Sequence, residues 1–126
     1  MAVNYAMTVK NTRMQAVITA IDAGAGPGTI EICSAAYAAV LAIIALADPS
    51  FTLSNGVITM ASPPRSDVAA DATGTAALAR IKDSNGVVVC DGLTVGVGTG
   101  DVQLNSTAIS AGQTVTLTSG TITHAS

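Results

Sequence analysis

The chain has 126 residues and a formal net charge of −3, a length that fits one domain and leaves no room for two. Hydrophobic residues make up 49% of it but aromatic ones only 2%, with no Trp, so the core must be built from Val, Ile, Leu and Ala. Charged residues are 10%, against about 25% in an ordinary soluble domain, and the five cations, Lys10, Arg13, Arg65, Arg80 and Lys82, form no basic stripe, which argues against a nucleic-acid partner.

The opening segment, Met1 to Met7, has no basic region followed by an apolar run, so no secretory leader is expected. A helix follows. Met14, Val17, Ile18 and Ile21 fall at i, i+3, i+4 and i+7 and make one apolar stripe, with Asn11, Gln15, Thr19 and Asp22 on the opposite face. Thr8 is the expected N-cap and Gly24 the expected stop. Lys10 and Arg13 come early and Asp22 late, against the helix dipole, which suggests that the two cations face a partner. The run Ala23-Gly24-Ala25-Gly26-Pro27-Gly28 reads as a flexible break between an N-terminal arm and helix, 1–23, and a β core, 29–126.

From Thr29 the texture is β. Ile30 and Ile32 alternate with Glu31. Ala35 to Ala47 is open between helix and strand: its Ala content favours helix, its position favours strand, and a strand over Val40 to Leu46 is preferred. The run is too short for the roughly twenty residues of a membrane-spanning helix. Asp48-Pro49 marks a turn. Phe51 to Leu53 and Val57 to Met60 read as a hairpin about Ser54-Asn55-Gly56. Ser62-Pro63-Pro64-Arg65 is a rigid connector, and Ser66 to Gly74 reads as a loop. A second hairpin runs from Ala77 to Lys82, turns at Asp83-Ser84-Asn85-Gly86, and returns over Val87 to Cys90. Further strands are expected at Leu93 to Val97, Val102 to Leu104, Gln113 to Thr118 and Thr121 to Thr123. The fold expected is mainly β, an antiparallel β-sandwich or small barrel with one N-terminal α-helix.

Chemistry-bearing groups are sparse. Cys33 and Cys90 lack the spacing of a metal knuckle or redox motif and are expected as reduced thiols; a disulfide would need their strands to be neighbours. Gly96-x-Gly98-x-Gly100 and Gly24-x-Gly26-x-Gly28 lack the spacing and the following helix of a dinucleotide loop. His124 is the only histidine and is expected as an exposed tail residue. Asp48, Asp67 and Asp71 carry hard oxygen donors but not the EF-hand pattern, and solvated loop carboxylates that accept nearby backbone N–H groups are expected instead. Asn105-Ser106-Thr107 matches a glycosylation sequon, which matters only in a secreted chain. No catalytic residue, cofactor or metal is expected.

Four segments carry a resemblance. They are Asp67-x-x-Ala70-Asp71-Ala72-Thr73-Gly74-Thr75-Ala76, Arg80-Ile81-x-Asp83-Ser84-x-Gly86-Val87-Val88, Gly100-Asp101-x-Gln103-Leu104-Asn105-Ser106-Thr107-x-Ile109-Ser110-Ala111-Gly112, and Thr121-Ile122-Thr123. Together they resemble a family of short β-rich structural proteins of tailed bacteriophages and prophages, and the opening helix, with Asn11 and Ala16 to Ile21, fits the same family. Cys33 to Ala39 departs from it, being short and apolar where relatives carry a polar, proline-containing connection. The resemblance implies a virion part, made in the bacterial host cytoplasm.

Within that class a capsid decoration or cement protein is the first expectation: it binds the head shell, stabilises it and forms homo-oligomers. A tail-associated protein (tube accessory, collar or fibre-associated) is the second, and a glycan- or surface-binding module a distant third, since sugar faces usually stack on aromatic rings. The expected partners are the major capsid protein or other virion subunits, with no nucleic acid and no membrane. Lys10 and Arg13 on the arm, and Pro63, Pro64 and Arg65 in the connector, are the expected partner contacts.

Overall fold

Strand patterning and two tight turns organise the chain around one helix. The computed structural model describes residues 5–47 and 49–123; Asp48 and His124, and with them the expected turn and exposed tail histidine, lie outside the described residues. In order, the elements are α1 (Met7–Ile21), β1 (Thr29–Cys33), a 3-10 turn (Ala35–Tyr37), β2 (Val40–Ala45), β3 (Phe51–Ser54), β4 (Val57–Met60), β5 (Arg65–Asp67), β6 (Gly74–Thr75), β7 (Leu78–Lys82), β8 (Val88–Gly96), β9 (Val102–Leu104), β10 (Ala108–Ile109) and β11 (Val115–Thr123). The mainly β fold with one N-terminal helix is as the sequence predicts, and the ambiguous apolar run resolves into a 3-10 turn followed by a strand.

The main sheet runs β2-β1-β7-β8-β9-β11-β4-β3, with β5 also paired to β11, and it curls into a half-barrel. All pairs in it are antiparallel except β8 with β9, which run parallel over the short register Val95–Val102 and Gly96–Gln103. Two of the predicted breaks are absent. Val87 to Cys90 and Leu93 to Val97 form the single strand β8, kinked by register shifts opposite β7, and the last two predicted strands form the single strand β11. The predicted loop Ser66 to Gly74 holds most of β5 and the start of β6, and β6 pairs with β10. These pieces are too short for periodicity to reveal.

The concave face carries the core. Ile44, Ile30 and Ile81 lie in one cross-strand row, and Ala42, Ile32 and Ala79 in the next. All six are buried. Met14, Ile18 and Ile21 of α1 join the same cluster, with Val17 packed against it. Branched aliphatics in register fill this space without aromatic bulk; Phe51 is the only Phe, and it is buried.

The helix start differs from expectation. The N-cap is Ala6, with no side-chain cap bond, and Thr8 sits inside the first turn. Asn11 and Asp22, on the face opposite the apolar stripe, are half-buried and bonded to the sheet. Gly56 N–H donates to Asn11 Oδ1 at 2.8 Å, and Ser50 N–H donates to the Asp22 carboxylate at 3.1 and 3.3 Å. Those two helical residues are about 16 Å apart at 1.5 Å rise per residue, while residues 50 to 56 span roughly 20 Å of strand. The helix therefore lies alongside β3, antiparallel to it and pinned at both ends. The late Asp22, adverse for the dipole, is explained by this bond.

The glycine-rich break is tethered rather than free. Ser84 Oγ donates to Ala23 O at 3.1 Å, and Leu46 N–H donates to Gly28 O at 3.0 Å. Gly28 is needed for closeness: a Cβ there would meet Lys82 O at 2.6 Å.

At the open edge of the half-barrel, β5 closes on β2 through side chains. Arg65 Nε donates to Ala45 O at 2.6 Å, and Ile43 N–H donates to Asp67 Oδ2 at 3.1 Å. Asp71 N–H adds a bond to Leu41 O at 2.8 Å. An edge strand that would otherwise present unpaired groups is thereby satisfied.

Candidate interaction surface

The convex face of β2, β1, β7 and β8 holds an ion cluster of Glu31, Arg80 and Lys82. Glu31, on the opposite face of β1 from Ile30 and Ile32, is only 7% exposed. Its carboxylate accepts Arg80 Nε at 2.6 Å and lies 3.0 Å from Lys82 Nζ. The Arg80 guanidinium sits 5.4 Å from the centroid of the Tyr37 ring, which the 3-10 turn places over it, and the Tyr37 hydroxyl accepts the Gly92 N–H. Burial pushes the Glu31 carboxyl up, but the Arg80 and Lys82 hydrogen bonds and charges outweigh it and hold the group below the ordinary carboxylate range. The Glu31 bond raises Arg80 in turn.

Apolar side chains flank this cluster. Ile43 stands opposite Glu31 on β2 and is 42% exposed, and Val88 stands opposite Lys82 on β8, also exposed. Directly paired residues share a face, so the surface presents an ionic centre of one carboxylate and two cations between exposed aliphatics. Tyr37 and the Glu31 cluster carry no signal in the sequence beyond the alternation of β1 and β7; their meeting depends on β1 pairing with β7, residues far apart in the chain.

The five predicted contact residues divide between two regions. Lys10 and Arg13 lie on α1, which packs on β3, β4 and β8; Arg65 lies on β5, which packs on β2 and β11. Arg13 stacks on Tyr5 at 4.7 Å, and the Lys10 stem lies beside Gly56. Pro63 and Pro64 are exposed and joined by a cis peptide bond. Arg65 faces the seam with β2 described above.

Three other carboxylates serve the backbone. Asp67 Oδ1 accepts Ala69 N–H at 3.0 Å, Asp83 Oδ1 accepts Asn85 and Val87 N–H at 2.9 Å each, and Asp101 Oδ2 accepts Thr94 N–H at 3.1 Å. Cys33 and Cys90 are free thiols on β1 and β8, strands separated by β7, so the condition for a disulfide is not met. Burial raises both thiols. Among the described residues no three His, Cys, Asp or Glu side chains converge on a metal-sized site, no pocket is formed, and no helix is long and apolar enough to cross a membrane.

Compared with family models, curated proteins and solved structures, the chain matches none of them.

Proposed function

We propose that this chain is a structural subunit of a tailed-bacteriophage virion, and specifically a capsid decoration protein that packs against the head shell. The observation that carries the reading is the disposition of charge. Glu31, Asp22, Asp67, Asp83 and Asp101 are each bound to the chain's own backbone or cations, while Ile43, Val68, Val87, Val88 and Val97 stand exposed. A surface whose carboxylates mostly serve the chain's own backbone and cations, and which exposes aliphatics, favours contact with other subunits over recognition of an ionic small molecule. Many copies on a symmetric shell would give strong total binding from weak single contacts. The sequence resemblance to phage structural proteins points the same way.

Pelleting the purified chain with tail-less heads that lack it, and separately with free tails, tests the reading. Retention on heads and not on tails is expected. Retention on tails alone would move the chain to a tail position, the alternative reading, and retention on neither would contradict a virion role.

A further inference from the structure

The sequence Ser-Asn-Gly-Val occurs twice, at Ser54 to Val57 and at Ser84 to Val87. Each copy makes a hairpin turn, but the turns differ. In the first, Asn55 (φ 51°) and Gly56 (φ 76°) are both left-handed, and the strand pairs close at Ser54–Val57. This is the two-residue turn that Asn-Gly favours. In the second, Gly86 (φ 82°) is left-handed and Asn85 is not. Gly86 N–H donates to Asp83 O at 3.1 Å and Asp83 N–H to Val87 O at 3.0 Å, which makes a longer loop. The residue two before each Asn separates them: Leu53 packs against the core, while the Asp83 carboxylate collects the Asn85 and Val87 N–H groups.

Asn-Gly is also the dipeptide most prone to spontaneous deamidation. The glycine amide nitrogen attacks the Asn side-chain carbonyl carbon. A new N–Cγ bond forms, the Cγ–Nδ2 bond breaks, and ammonia leaves with the displaced proton. Water then opens the cyclic imide at either carbonyl, giving Asp or, with the chain rerouted through Cγ, isoaspartate. The glycine N–H must be within reach of solvent to lose its proton.

The two sites differ in that step. Gly56 is buried, and its N–H is held by Asn11 Oδ1 at 2.8 Å beneath Met7 and Lys10. Gly86 also donates its N–H, to Asp83 O at 3.1 Å within its own turn, but it is exposed to solvent and nothing lies within 4 Å of where its Cβ would be. We infer that Asn85 is a site of deamidation in the folded protein and that the α1 clamp protects Asn55. The product carries one more negative charge than the formal −3 of the unmodified chain, and isoaspartate there adds a backbone methylene to the turn joining β7 to β8.

Incubating the folded chain in mildly alkaline buffer, followed by peptide mapping and mass spectrometry, tests this. Asn85 should convert at least about tenfold faster than Asn55, because an amide buried beneath a helix reacts only through local opening, whereas the exposed turn amide needs only its one turn bond to break. In urea, where the flanking tetrapeptides are identical and unfolded, the two rates should converge. N11A should raise the Asn55 rate toward that of Asn85, with Gly56 amide exchange rising in parallel. Equal rates in the folded wild-type chain, or Asn55 converting first, would overturn the inference whatever the fold of the variant. Faster Gly56 exchange in N11A without faster Asn55 conversion would overturn the protective role of the clamp.

Discussion

Glu31 shows how a sheet's outer face can hold a nearly buried acid. Two cations from β7 compensate its desolvation, and removing the charge leaves both cations without it. Glu31→Gln is therefore expected to cost about 1.5–3 kcal/mol, the range for hydrogen bonds to charged groups, measured by urea unfolding near neutral pH. The sign with pH follows from the lowered carboxyl. A group whose folded pKa lies below its unfolded value of 4.5 stabilises the fold above that value and loses the contribution as pH falls through the folded pKa. Wild-type stability should decline through that acid window, and the decline should be shallower in Glu31→Gln. An unchanged slope would show that the ion pairs contribute nothing to folding.

At the scale of elements, two polar devices position what the apolar pattern alone leaves free. The first is the pair of bonds from Asn11 and Asp22 that fixes α1 along β3. Asp22→Ala should cost about 1 kcal/mol, a typical net hydrogen-bond contribution, and speed amide exchange at Ser50 while leaving the β1–β7 amides protected. The second is the seam of Arg65 and Asp67 on β2. Asp67→Ala should free the Ile43 amide, which hydrogen exchange reads directly, at a cost of about 1 kcal/mol. The sequence made the helix stripe, both hairpins and the alternation of β1, β7 and β11 legible, because period and turn chemistry are local. It hid β5, β6 and β10, which are two or three residues long and exist only by virtue of their partners. The contacts of Asn11 and Asp22, on the face opposite the apolar stripe, are hidden for the same reason: helix spacing separates faces but does not say how wide a face the strand covers. Arg65, expected outward, has a donor turned to the sheet edge because an unpaired carbonyl lay within its reach.

At the scale of the molecule, the candidate surface was less legible than the fold. The sequence pointed to the arm and the Pro63-Pro64-Arg65 connector; the structure adds the convex face with Ile43, Glu31, Arg80 and Val88, assembled from four strands. It also changes how the arm must be tested. Removing Met1 to Arg13 would take away half of α1 and the Asn11 clamp, so a loss of incorporation would not distinguish contact from misfolding. Lys10→Glu with Arg13→Glu leaves the buried Met14, Ile18 and Ile21 in place, and should weaken pelleting with heads if the arm makes the contact. Ile43→Asp should do so if the convex face makes it, and each variant's unfolding curve reports separately on folding.

The most direct measurement of the central claim is the protein composition of purified particles from cells expressing the chain at its native locus, with heads and tails separated before mass spectrometry. A decoration protein should be present in stoichiometric, many-copy amounts in the head fraction. Particles that assemble at normal yield without the chain in either fraction would contradict a virion role.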